Sequence, residues 1–190
     1  ALLTTSMTRV KYTVTDPSFV LAQLAHATDC TITYEGGVQQ TASGNYVFVT
    51  VEDASLDAVV ETAGGLRVVE NVQRIRGGET GGVLRLRLTD PFLATELADH
   101  GAVLQSAMAS PAGTELVIDV PGSVEARNVT QFVTQRFDEV ELTSKQTREQ
   151  ASEHGLYASV LDQLTVRQLE VLETEYYSGF FESPREATGE

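Results

Sequence analysis

Two stretches of this chain lie over one another at an offset of 74 residues. Val10-Lys11-Tyr12-Thr13-Val14-Thr15-Asp16-Pro17 matches Leu84-Arg85-Leu86-Arg87-Leu88-Thr89-Asp90-Pro91 position by position in character. Each alternates apolar with polar residues, as a strand with one wet face does, and each ends on Asp-Pro. After Ser18 as a one-residue insertion, Phe19 lies over Phe92 and Leu24 over Leu97. A chain that repeats itself in this way builds one supersecondary unit twice.

The elements between the two stretches fill in that unit. Asp16-Pro17 reads as an N-cap followed by proline at the first helical position. Phe19, Val20, Leu24 and Ala27 then give the helix an apolar face. Cys30 to Tyr34 reads as a second strand, Gly36-Gly37 as a hairpin turn, and Asn45 to Val51 as a third strand. Ser55 caps a helix through Leu56, Val59 and Val60 that Gly64-Gly65 stops. Leu66 to Arg76 is the fourth strand. After Gly77-Gly78 and Gly81-Gly82 the order begins again, with strands at Ala102 to Ala109 and Thr114 to Val120. Ser123 is then expected to cap a helix carrying Val129, Phe132 and Val133, and Val140 with Leu142 marks a last strand.

The fold expected is therefore α+β: tandem duplicated ferredoxin-like βαββαβ units followed by a C-terminal helix. The units occupy residues 1–76 and 83–149, with a Gly-rich junction at 77–82, a linker at 150–163 and a separate terminal segment at 164–190. A continuous helix from Gln146 to Leu161 is the alternative to the linker, with Gly155 as its weak point. In the ferredoxin-like order the first and last strands of a unit are neighbours. Lys11, Arg85 and Arg87 would then share the face away from the helices with Glu139 and Glu141, forming cross-strand pairs of some tenths of a kcal/mol each.

Charge narrows the chemistry. The chain carries 27 acidic against 13 basic residues, a formal net charge of −14, and only Lys11 and Lys145 are lysines. Such a surface suits solubility in molar salt, where a Debye length of ~3 Å mutes self-repulsion. It also argues against phosphate-backbone binding by this chain itself. Arg67, Arg74, Arg76, Arg85 and Arg87 make the one local basic concentration. Arg74, Arg76, Arg85 and Arg87 are thus candidates for holding an anionic small-molecule effector or docking an acidic domain.

Catalytic patterns are missing where they would be readable. His26, His100 and His154 stand in separate segments, none with a second histidine at i+3 or i+4, and Cys30 is the only cysteine. The run GGETGG at 77–82 lacks the lysine and following helix of a phosphate loop. No catalytic residue, metal site or cofactor is expected, and the chain reads as a non-enzyme. No apolar run approaches a membrane span, and one cysteine suits a reducing cytoplasm.

The terminal segment carries a resemblance. Thr165 and Gln168 form a capping box, Val166, Leu169, Leu172 and Tyr176 recur at helical spacing, and Gly179 follows where a left-handed cap wants glycine. Leu164, Thr165, Gln168, Leu172, Tyr176, Gly179, Phe180, Phe181, Pro184 and Arg185 resemble, in register, the opening of the helix-turn-helix module of the bacterio-opsin activator family of haloarchaeal transcription regulators. The match covers about a seventh of the chain. It implies a regulatory, signal-coupling or dimerising fragment that stops before the recognition helix, so that DNA is met only through the missing module. It also implies an upstream sensor domain in the full-length chain, and leaves a homodimer open, since two-fold operators favour two-fold readers. The competing reading is a tandem ferredoxin-like domain that binds a small-molecule effector and has no part in DNA binding.

Overall fold

The computed structural model describes residues 4–36 and 39–151. The strands are β1 (Thr4–Val14), β2 (Thr31–Tyr34), β3 (Gln39–Thr41), β4 (Gly44–Glu52), β5 (Val69–Gly78), β6 (Gly81–Leu88), β7 (Val103–Ser110), β8 (Gly113–Pro121) and β9 (Val140–Ala151). The helices are α1 (Val20–Thr28), α2 (Leu56–Gly64), α3 (Leu93–Asp99) and α4 (Ala126–Arg136). The linker and helix-turn-helix assignments from Ser152 onward lie outside the described residues. At the near end of that region β9 runs to Ala151, so the stretch from Gln146 begins as strand and not as helix.

All nine strands join one antiparallel sheet in the order β5-β6-β4-β2-β7-β8-β1-β9, with short β3 paired to β4. Period-two alternation decides the faces. Val10, Tyr12 and Val14 of β1, Val47, Val49 and Val51 of β4, Leu84, Leu86 and Leu88 of β6, and Leu116, Ile118 and Val120 of β8 are buried on one side. Against them pack Leu21 and Leu24 of α1, Leu56 and Val59 of α2, Leu93 and Leu97 of α3, and Val129 and Val133 of α4. The residues between those strand positions face the other way and keep partial exposure, except Asp119, which is buried. The sheet thus has one helix-covered face and one open face.

The order of the strands departs from expectation. The pattern places β1 beside β5 and β6 beside β9. Instead β1 lies between β8 and β9, and β6 between β4 and β5. Each half of the sheet is completed by the first strand of the other stretch, and the two halves meet where β2 pairs β7 at Ile32↔Ala109 and Thr33↔Met108.

The matching phenylalanines meet too. Phe19 and Phe92 stack with ring centroids 5.7 Å apart, Phe137 stands edge-on to Phe19 at 5.6 Å, and Tyr34 lies 5.3 Å from Phe92. Offset or edge geometry of this kind adds about 0.5–1.5 kcal/mol per pair beyond burial.

Several caps differ from the sequence reading. Ser55 does cap α2, its Oγ accepting from the Ala58 N–H at 3.3 Å. Asp16 does not cap α1, which begins after Phe19. Its carboxylate instead accepts the N–H groups of Ser18 (2.7 Å) and Asp138 (2.8 Å), tying the end of β1 to the start of β9. Likewise α3 begins after Phe92 and α4 after Glu125, so neither Asp90 nor Ser123 is an N-cap. Three of the four glycines at the β5–β6 turn, Gly77, Gly81 and Gly82, are required by close approach: at Gly82 (φ +157°) a Cβ would strike the Arg76 carbonyl.

Candidate functional site

Strand β4 supplies the open face with Tyr46, Phe48 and Thr50, because Val47, Val49 and Val51 take the buried positions. Beside it β6 presents Val83, Arg85 and Arg87, with Phe48↔Arg85 and Tyr46↔Arg87 directly paired. Outside β6 comes β5, where Gln73 pairs Arg85 and Arg76 pairs Val83. The open face of this half is therefore a patch of two aromatic rings and three arginines.

The four arginines singled out by sequence do not form one cluster. Arg74 pairs Leu84, so it falls on the helix side, and its guanidinium makes an ion pair with Asp57 of α2. Arg87 lies with Nε 2.8 Å from Glu70 Oε2, both side chains about two-fifths exposed. That contact is an ion pair off the line of the N–H, and Nε lacks a hydrogen-bond acceptor. The Arg87 stem runs over Gly44 (φ +141°), where a Cβ would come within 2.6 Å of Nε. Arg85 leans diagonally, its guanidinium carbon 4.8 Å from the centre of the Tyr46 ring. A cation over an aromatic face at that distance gains about 0.5–1 kcal/mol at an exposed site. Neither Arg85 nor Arg76 has a carboxylate partner among the described residues. Tyr46 and Phe48 were readable as aromatics at the polar positions of an alternating strand, and sequence reasoning passed over them.

The Arg–Glu pairs expected between Arg85 or Arg87 and Glu139 or Glu141 do not form, because β6 and β9 are at opposite ends of the sheet. Glu139 accepts instead from the Thr15 hydroxyl at 2.7 Å, and Glu141 stands opposite Thr13.

The other half carries a different open face. Arg9 of β1 grips Asp119 of β8 through two parallel bonds of 2.7 and 2.8 Å, and the Asp119 side chain is only 7% exposed. Lys11, Val117 and Glu115 continue that face with no aromatic ring. Asp16 follows the end of β1. Burial pushes its carboxyl up, but the two backbone N–H groups, the Ser18 hydroxyl and nearby Arg136 outweigh this and hold it below the usual carboxylate range. The Cys30 thiol is buried and pushed up, which leaves it a poor nucleophile. Among the described residues no three of His, Cys, Asp and Glu are grouped to hold a metal, and no helix is long and apolar enough to cross a membrane.

The edge formed by β1 and β9 is the last distinctive feature. β9 pairs β1 along its whole length, from Val14↔Val140 to Thr4↔Ala151. β8 reaches only from Met7 to Val14, so β9 is the one strand paired with Thr4, Thr5 and Ser6 among the described residues.

Comparison with known proteins bears on all of this. Across its full length the chain is 28% identical to the bacterioopsin transcriptional activator of Halobacterium salinarum, over 190 residues covering 99% of this chain and 28% of that protein. It is also 28% identical over 187 residues to a putative transcriptional regulator of Haloferax volcanii, covering 97% of this chain and 32% of that protein. The chain thus spans about a third or less of the length of these relatives. No solved structure matches it. The family model described as BAT, the GAF and HTH_10 associated domain, matches residues 6–155, from the start of the β1–β9 ribbon to just beyond its end, and the chain belongs to that family.

Proposed function

We propose that this chain is a regulatory, signal-coupling or dimerising, fragment of a haloarchaeal transcription regulator like its two relatives. Base reading falls to a helix-turn-helix module that residues 164–190 open and whose recognition helix is not in this chain. Nothing in the reading asks the fragment for catalysis or a cofactor. The partners it calls for are an upstream sensor domain in the full-length chain, a second copy of the chain, and DNA through the completed module.

We read the sheet as two ferredoxin-like units, residues 1–76 and 83–149, that have traded first strands across the junction at 77–82. With β6 standing in for β1, the half β5-β6-β4-β2 keeps the strand order such a unit has, and β9-β1-β8-β7 keeps it with β1 standing in for β6. The trade supports a coupling role, because neither half closes without the other.

The observation that carries the reading is the register Thr4↔Ala151. The strand that brings the chain into the sheet and the strand that leads it toward the linker at 150–163 are hydrogen-bonded neighbours at their outer ends. A displacement of one is felt by the other without passing through the core.

The test breaks this ladder in the full-length regulator. In an antiparallel pair alternate N–H groups point at the partner, so of Thr147→Pro and Arg148→Pro one removes a bond to β1 and the other does not. The variant that loses the bond should keep the DNA affinity of wild type but lose most of its response at the target promoter, while its neighbour stays near wild type. Equal responses from both variants, with folding intact by circular dichroism, would remove the ribbon from the mechanism.

The second reading, effector binding, is favoured by one observation: Arg76 and Arg85 stand on the open face with no carboxylate partner among the described residues.

A further inference from the structure

The open face of the β5-β6-β4 region is built unlike the rest of the sheet. Phe48 lies directly across from Arg85, yet Arg85 leans away to cover Tyr46, and Phe48 has no aromatic or cationic partner of its own among the described residues. Phe48 is partly exposed, and beside it Arg85, stacked on Tyr46, and Arg76 have no carboxylate partner among the described residues. The corresponding surface of the other half shows what folding alone requires. Lys11 takes the place of Arg85 at the offset of 74, and β8 offers Glu115, Val117 and Asp119 with no ring.

Resting on the effector-binding reading, we propose that this patch binds a nucleotide, its base stacked on Phe48 and its phosphate held by Arg85 and Arg76. The geometry suits one nucleotide. Strands β4 and β5 are separated by β6 alone, so about 10 Å lies between the Phe48 and Arg76 rows, the reach of a nucleotide from base to phosphate. Base–aromatic stacking and a guanidinium fork on phosphate are the two interactions such a patch supplies. The ligand's direction is set as well. Glu35, whose N–H donates to the Phe48 carbonyl at 3.0 Å, follows β2 on the far side of β4, so the phosphate turns toward β6 and β5.

A polynucleotide fits less well. The basic residues of the patch lie on two neighbouring strands, and beyond the sheet's midline Arg9 is taken up by Asp119 while Lys11 is flanked by Glu115 and Glu141 in a chain of net charge −14. There is no basic track for a second or third phosphate to follow.

Calorimetric titration of the chain in high-potassium buffer decides the matter, with AMP and GMP as probes and adenosine, inorganic phosphate and a short oligothymidylate alongside. At least one of the two nucleotides should bind about tenfold or more tighter than either adenosine or phosphate. Phe48→Ala should weaken it by about tenfold with the thermal midpoint unchanged, while Phe48→Tyr retains it. Arg85→Gln should bring AMP down to the level of adenosine. Phosphate binding that AMP and GMP do not improve on would overturn the nucleotide assignment while leaving an anion site standing. No binding of nucleotide or phosphate would sink both. Oligothymidylate binding tighter than either nucleotide would replace a nucleotide pocket with a strand platform, and unchanged binding in Phe48→Ala would remove the stack.

Discussion

The two halves of the sheet share their buried side and differ on their open one. Toward the helices, β6 shows Leu84, Leu86 and Leu88 where β1 shows Val10, Tyr12 and Val14, all buried. Away from them, one half carries Tyr46, Phe48 and Arg85 and the other a bidentate Arg9–Asp119 pair. Burial constrains both halves alike, since each inward position must fill the same layer of core. The outward positions answer to no such demand. One half has used them to lock two strands together, and the other leaves charge and ring surface unspent.

The sharpest way to break this comparison is through the shared side. Leu86→Ala should cost about 2–5 kcal/mol, since Leu86 is wholly buried between β4 and β5. Because β1 and β6 each lie in the half of one continuous sheet that does not hold the next strand in the chain, β2 or β7, the loss should appear as one cooperative transition in denaturant, seen alike by far-ultraviolet dichroism and by tyrosine fluorescence. Two separate transitions would mean that the halves are independent after all.

A smaller effect separates the open faces. Arg9→Ala leaves the nearly buried Asp119 carboxylate without its fork. Discounted for an arginine that is 39% exposed, the cost should be about 1–3 kcal/mol. Glu70→Gln, which removes the carboxylate from Arg87, should change stability by less than about 1 kcal/mol. Equal losses in chemical denaturation would erase the distinction between a locked half and an open one.

The smallest effect concerns acid. Because the folded Asp16 carboxyl titrates below the usual range, its stabilisation is complete above the unfolded value and is lost as pH falls through the folded one. Asp16→Asn should flatten that acid limb, with a loss on the order of 1 kcal/mol at neutral pH and little at strongly acidic pH. Denaturant midpoints measured across the acid range check it, and parallel curves for the two proteins would refute it.

Much of this was legible beforehand. Alternation told which strand residues face the helices, and Ser55 announced its helix correctly. Strand order was not legible, for a physical reason: alternation specifies a face and says nothing about a neighbour. Val10–Val14 and Leu84–Leu88 are so alike in pattern that either could fill the other's slot. Asp16 misled because aspartate before proline is a good helix cap, yet its carboxylate found two better N–H donors, one of them 122 residues away. Of the candidate site, the arginines were visible as a concentration, but which of them share a face depended on a bulge between Arg74 and Arg76. The aromatic half of the patch was visible only as Tyr46 and Phe48 breaking a polar rhythm. The bacterio-opsin activator resemblance was carried by residues that lie outside the described part, and it was the match across residues 6–155 that placed the chain in its family.

The pairing of the first strand with the last also sets a timetable for biosynthesis. Thr8 and Thr147, whose hydroxyls sit 3.1 Å apart in the finished sheet, leave the ribosome 139 residues apart. At about 5–20 residues per second the opening strand waits on the order of ten seconds for its final neighbour. For most of that interval, until β8 emerges, Val10, Tyr12 and Val14 also lack their neighbour on the other side, and the chain's net charge of −14 is what keeps such exposed strands apart.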